Sequence, residues 1–179
     1  MDIIWDEMRG AGPGILMRNL DGEAFRDVTW ELGVQNVDGY GRYQDGRGIA
    51  VGDLNNDGFE DLVYANRTYN PTQSDPLAQI AGDPRVLLNP GTDSHWLQLE
   101  FVGDESNRDG IGVRVQVDDG SRQWMTQMGA GGGTNSSSSR VLTIALGEAS
   151  QVDLEVLFPS GQTQRLSGID ANQRIEVFE

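Results

Sequence analysis

Cysteine is absent from all 179 residues. That excludes a disulfide framework, thiolate metal sites and a cysteine nucleophile, and leaves the redox compartment open. Histidine occurs once, at His95, so a zinc site built from several imidazoles has no material. At a strand start beside Trp96, His95 reads as a structural residue. Positive charge is scarce: 13 Lys and Arg face 28 Asp and Glu, a formal net charge of −15. Such a surface repels phosphate backbones, which argues against nucleic-acid and anionic-membrane partners. No apolar run approaches the roughly 18 residues that a spanning helix needs, so no membrane insertion is expected. The opening Met1-Asp-Ile-Ile-Trp-Asp-Glu-Met carries acids where a signal peptide needs positive charge, and has no apolar core of about 7–15 residues. The sequence therefore either lacks its leader or takes another route.

What is present centres on Gly48 to Tyr64. Asp53, Asn55, Asp57 and Asp61 stand at positions 1, 3, 5 and 9 of a loop, with Gly58 at position 6. Short apolar runs, Ile49 to Val51 and Leu62 to Tyr64, flank it. Oxygen side chains at alternate positions followed by glycine let a tight turn aim several hard donors at one cation. Ca²⁺ takes about six to eight oxygens at about 2.3–2.6 Å, and its large, flexible ligand shell favours it over Mg²⁺ here. Phe59, at position 7, would contribute its carbonyl. The opening also matches an EF-hand, but that loop closes with glutamate at position 12 and lies between helices. Position 12 is Tyr64, and the flanks read as strands. A metal-free Asn56-Asp57-Gly58 turn explains the Asp-Gly pair, yet leaves Asp53 and Asp61 without a role.

Gly48-Ile-Ala-Val-Gly-Asp-Leu-Asn-Asn-Asp-Gly-Phe-Glu-Asp-Leu-Val resembles the calcium-binding blade repeat called FG-GAP or VCBS, found in integrin α-subunit propellers. The resemblance implies Asp53, Asn55, Asp57 and Asp61 as Ca²⁺ ligands. Upstream, Arg18 to Thr29 looks like the strand-turn-strand that links blades, with Asn19 and Asp21 as turn-formers. Residues 1–94 read as one partial β-propeller-like unit, in which Gly14 to Met17 and Ala24 to Trp30 are strands. Thr68 to Pro84 is a proline-bearing loop of a length typical of binding surfaces.

From Ser94 the pattern is regular. Leu97, Leu99 and Phe101 alternate with Gln98 and Glu100, and the same period recurs over Ile111–Val117, Leu142–Leu146, Val152–Val156 and Ile175–Val177. Period-2 alternation predicts strands with one face on a core and one in water, and the spacing of turns predicts an antiparallel sandwich or small barrel. His95-Trp-Leu-Gln-Leu, Ser106 to Val115, Val156-Leu-Phe-Pro-Ser-Gly-Gln and Ala171-Asn-Gln-Arg-Ile resemble the ASPIC/UnbV domain that follows FG-GAP repeats in the cartilage acidic protein family. Residues 95–179 are thus expected to form an ASPIC/UnbV-like β domain, making the whole chain all-β.

A propeller needs about 4–8 blades, and one blade leaves edges open. The chain is therefore expected to be part of a longer protein, to assemble as a homo-oligomer, or to cover its blade with the second domain. Asp104, Asn107 and Asp109 offer a second, weaker cation site or simply a polar turn. Gly129 to Ser139 lacks the Gly-Lys-Ser/Thr ending of a P-loop and reads as a linker loop. The four tryptophans, Trp5, Trp30, Trp96 and Trp124, are expected as core or interface anchors. The sequence as a whole predicts a non-enzymatic, extracellular or periplasmic module in which Ca²⁺ rigidifies residues 53–61 for contact with a protein or glycan ligand. The alternatives are a carbohydrate-active enzyme using two carboxylates or a structural fragment completing a propeller with other chains.

Overall fold

The computed structural model describes residues 14–20, 22–70, 80–133 and 135–179, together with the backbone of 3–5. These residues form strands and turns without a helix. In chain order the strands are β1 (Ile3–Trp5), β2 (Ile15–Leu20), β3 (Ala24–Asp27), β4 (Asp45–Gly52), β5 (Asp61–Arg67), β6 (Arg85–Leu87) and β7 (His95–Val102). They continue with β8 (Arg114–Asp118), β9 (Gln123–Gln127), β10 (Val141–Gly147), β11 (Gln151–Leu157), β12 (Thr163–Asp170) and β13 (Gln173–Phe178).

The chain divides into two compact units whose sequences interlace. The first comprises residues 1–51, 62–87 and 133–137; the second comprises 52–61, 88–132 and 138–179. The partition differs from the expected 1–94 and 95–179: the acidic loop and residues 88–94 go with the second unit, and 133–137 with the first. For the loop, the physical reason lies in the bond from Gln98 of β7 to Asp53 and the packing of Gly58 on Trp96, described below.

The first unit contains two three-stranded sheets, β1-β2-β3 and β4-β5-β6. β2 and β3 form a hairpin in which Leu20 pairs with Ala24. Asn19 Oδ1 accepts the Gly22 amide at 2.8 Å, so Asn19 is the turn-former expected of it; Asp21 lies outside the described residues. β3 stops at Asp27, short of the expected Trp30, because Asp27 Oδ1 accepts the Thr29 amide and turns the chain. Tyr64 is buried and donates its hydroxyl to the Val34 carbonyl at 2.8 Å. Beside it the interior is polar. Asn36 and Asn66 exchange two amide hydrogen bonds of 2.7 and 3.0 Å, and the buried Asp45 carboxylate meets Arg47 at 2.8 Å and Arg67 at 2.7 Å. Pairing of this kind is what lets charge remain inside a small sheet. Most of the long loop after Thr68, residues 71–79, lies outside the described residues, although Tyr69 and Ile80 on either side of it form a bridge.

The second unit is a sandwich. Sheet β10-β7-β13 and sheet β12-β11-β8-β9 contribute to one apolar core: Leu97, Leu99 and Phe101 of β7, Ile144 and Leu146 of β10, and Val177 of β13 meet Val115 and Val117 of β8 and Val152, Leu154 and Val156 of β11. These are the alternating positions read from sequence, and no sheet closes into a barrel. The expectation of a wholly antiparallel domain is corrected at one pair: β13 runs parallel to β7, with Ile175 opposite Leu99 and Val177 opposite Phe101. Both strands carry the same inward alternation, so either direction would bury the same side chains; the chain enters β13 from the end of β12, in the other sheet.

Glu179 follows β13 and ties two loops together, β7–β8 and β11–β12. Its carboxylate accepts the amides of Asp104 and Ser106 and the hydroxyls of Ser106 and Ser160. Desolvation pushes the carboxyl upward, but these donors outweigh it and bring it from the ordinary 4.5 down to about 2. A depressed folded value means that the stabilisation is complete above the unfolded pKa and disappears as pH falls through the folded one. Acid titration of folding stability should therefore show a loss between about pH 4.5 and pH 2, and Glu179→Gln should flatten the curve in that window. An unchanged slope would remove the staple. The same network accounts for the loop containing Asp104, Asn107 and Asp109. Asn107 bonds both the amide and the carbonyl of Ile111, and Asp109 sits 3.8 Å from Arg140, as a polar turn requires.

Candidate metal loop

Residues 53–61 connect β4 to β5. The sequence Asp53-Leu-Asn-Asn-Asp-Gly-Phe-Glu-Asp makes this bend because short polar side chains take over the amides that a ladder would otherwise pair. Asn55 Oδ1 accepts the Asp57 amide at 3.3 Å, and Asp57 Oδ1 accepts the Phe59 amide at 2.9 Å, two successive Asx turns. Asn56 stands at φ 58° and Gly58 at φ 91°, the left-handed conformations that asparagine and glycine tolerate best.

Asp53 anchors the loop from within. Its Oδ1 accepts the Asp57 amide at 3.1 Å; its Oδ2 accepts the Gly58 amide at 2.8 Å and the Gln98 side-chain amide at 2.9 Å. Burial pushes this carboxyl up, but the bonds from Gln98 and from the amides of Gly58, Asp57 and Asn56 prevail and hold it below the usual carboxylate value. It therefore stays ionised at neutral pH.

Three of the four predicted side chains converge. The oxygens of Asp53 and Asn55 both reach the Asp57 amide, and Asn55 Nδ2 donates to Asp57 Oδ2 at 2.7 Å. Asp61 has a further role that its position in the loop did not announce. It is fully buried, at 0% exposure, and each carboxylate oxygen takes a backbone amide at 2.8 Å, Asn89 on Oδ1 and Leu54 on Oδ2. It thus clamps the start of the loop to the segment after β6. Phe59 directs its amide to Asp57, while its ring lies against Gly91. Among the described residues no three His, Cys, Asp or Glu side chains close on a single point. The oxygens that Asp53, Asn55 and Asp57 gather here are all hard donors, a chemistry that would suit Ca²⁺ and not a soft metal.

Sequence reasoning missed the floor of this loop. Gln98 alternates with core residues and was expected to face water, yet it is only 4% exposed. Its neighbour two residues back, Trp96, lies so close that a Cβ on Gly58 would stand 1.8 Å from the indole ring. Of the other tryptophans, Trp124 packs against the sandwich core, whereas Trp30 is 61% exposed and so is not a core anchor; the Trp5 side chain lies outside the described residues. His95 Nδ1 lies 2.9 Å from the Asn172 side-chain nitrogen.

Comparison with known families accords with this geometry. Residues 46–75, which contain the whole loop, match the model of the FG-GAP repeat, and residues 103–179 match that of ASPIC and UnbV. Cartilage acidic protein 1 of Xenopus tropicalis is 42% identical over 55 residues, which is 31% of this chain and 8% of that protein. The chain thus spans under a tenth of the length of that relative. The bend carrying Asp53 to Asp61 accordingly lies within a stretch similar to the FG-GAP repeat, a β-propeller-type element, and most of the sandwich lies within a stretch similar to ASPIC and UnbV.

Proposed function

We propose that residues 53–61 bind Ca²⁺ and that the chain is a non-enzymatic, extracellular adhesion-type module whose binding surface is ordered by that ion. The observation that carries the reading is the convergence of the Asp53 and Asn55 oxygens on one amide beside the Asp57 carboxylate. Asp53, Asn55 and Asp57 would hold the ion through side-chain oxygens, Phe59 through its carbonyl, and Asp61 through a lone pair its two backbone bonds leave spare. The ion would neutralise carboxylates that otherwise repel one another in a tight bend. The FG-GAP match over the same residues and the relative's name, a cartilage acidic protein, are consistent with an extracellular setting. None of the strands needs a membrane role for this, and no helix of the described residues is long and apolar enough to cross one.

A ligand that binds only the folded state stabilises it by RT ln(1 + [L]/Kd), about 2.7 kcal/mol at a hundredfold excess over Kd. Millimolar Ca²⁺ is expected to raise the melting temperature by several degrees relative to chelator, and Asp57→Ala to abolish the rise. Superimposable curves for the wild-type protein would end the calcium reading.

A second reading concerns assembly. The FG-GAP match is a single repeat, and in the first unit Phe25, Trp30 and Leu32 are exposed, more large apolar surface than a finished blade leaves to water. Further blades, from another part of a longer chain or from a second copy, would cover it. Sedimentation distinguishes the two: a concentration-dependent oligomer favours a second copy, and a compact monomer at all concentrations removes it.

A further inference from the structure

We infer that Gln98, on β7 of the sandwich, is the positioning residue that fixes the orientation in which the loop offers the Asp53 carboxylate to a cation. This inference rests on the calcium reading of residues 53–61 and adds a residue outside the loop to it.

Asp53 Oδ2 accepts the Gly58 amide at 2.8 Å and Gln98 Nε2 at 2.9 Å. Oδ1 accepts the Asp57 amide at 3.1 Å, on the side where Asn55 Oδ1 reaches the same amide, and the Asn56 amide also bonds this carboxylate. Without Gln98 the carboxylate would be held by the backbone amides of the bend alone, and could then rotate or bind in a bidentate fashion. Gln98 is the sole side-chain donor in this set, the other donors being backbone amides that the bend itself supplies.

The placement of Gln98 is specific. It projects from the face of β7 opposite Leu97 and Leu99, on the side that also carries Trp96 and Glu100, and it is buried there although nothing in the alternation demands it. A buried amide is retained where it is hydrogen-bonded, and its partner here is Asp53. Trp96 on the same face supports Gly58, so the strand provides both a donor and a wall for the bend. Partners that orient ligating carboxylates in this way typically contribute about 10–100-fold to metal affinity.

The test is calorimetric titration of Ca²⁺ into the chelator-stripped full chain and into Gln98→Met, which keeps the shape and loses the donor. Glu100→Gln, on the same face but paired with Arg174, is the control. The expected result is a Kd weakened about 10–100-fold by Gln98→Met and unchanged within about twofold by Glu100→Gln. Equal affinities for Gln98→Met and wild type would overturn the role of Gln98 while leaving the calcium reading intact. Absence of any binding heat in the wild type would overturn the calcium reading itself. A measurement that needs no variant stands behind these: the Gln98 side-chain NH₂ resonance of the wild-type protein should be protected from exchange and should move on addition of Ca²⁺. A freely exchanging, stationary signal would contradict the assignment even if Gln98→Met failed to fold.

Discussion

Gly58→Ala is expected to lower the melting temperature by roughly 6–12 °C, because two independent costs meet at one residue. The first is conformational. Gly58 stands at φ 91°, and a Cβ in left-handed backbone costs about 1–2 kcal/mol. The second is steric. The added carbon would lie 1.8 Å from Cε2 of Trp96 and 2.2 Å from two further ring atoms, and forced overpacking of this kind costs about 1–3 kcal/mol. Together they come to about 3 kcal/mol, and for a chain of this size each kcal/mol moves the midpoint by about 2–4 °C. The indole is a rigid plane on β7, not a flexible chain end, so it has little means of retreat. Differential scanning calorimetry in chelator, where no ion contributes, checks the figure. Pairing the substitution with Trp96→Leu should recover the steric share and leave the conformational one. A drop of less than about 2 °C would mean that the bend does not lie against Trp96.

Asp61→Ala is expected to be at least as damaging, and for a reason separate from any metal. Its carboxylate is the acceptor for two backbone amides, Leu54 and Asn89, at a fully buried position. Hydrogen bonds to a charged group contribute about 1.5–3 kcal/mol each, so the pair amounts to about 3–6 kcal/mol. Asp61→Asn keeps one acceptor oxygen but sets an NH₂ against the other amide, and should lose more than half. Urea unfolding of the three proteins in chelator separates this structural role from ion binding. Asp57→Ala serves as the contrast, since its side-chain bonds are local to the bend and its loss should scarcely move the chelator midpoint. If Asp61→Ala and Asp57→Ala were equally mild in chelator, the clamp on Asn89 would be refuted.

These two residues mark where the sequence was legible and where it was not. Asp53, Asn55, Asp57, Gly58 and Asp61 could be picked out because a bend obeys local rules: side-chain oxygens at alternate positions and a residue that tolerates left-handed backbone. The core of the sandwich was legible for a similar reason, since Leu97, Val115, Leu154 and Val177 follow a period fixed by the strand itself. What could not be read is whatever depends on partners distant in sequence. Alternation says that β13 has an inner face but not that its neighbour is β7, 76 residues earlier at Gln173 and Leu97, nor that the two run parallel. Gln98 sits at a position that pattern assigns to solvent; only the fold brings the bend over it. Asp61 looked like one more loop acid until Asn89, 28 residues on, was found at its carboxylate. The interlaced units have the same origin, because a loop that bonds to β7 leaves the strands that carry it in the other unit.

The division of labour that emerges is chemical. Asp61 and Gly58 fold the bend against the sandwich, Gln98 orients Asp53, and Asn55 with Asp57 presents the remaining side-chain oxygens. A loop built this way would be pre-shaped by protein bonds, with an ion removing residual repulsion and not creating the shape.

The most direct test is a long-wavelength anomalous difference map from crystals of the wild-type chain grown in Ca²⁺. A single strong peak is predicted inside the bend, within about 2.3–2.6 Å of oxygens from Asp53, Asn55, Asp57, Phe59 and Asp61. A map with no anomalous density there, the Asp53 and Asn55 oxygens still on the Asp57 amide and the Asp57 carboxylate turned to solvent, would contradict it.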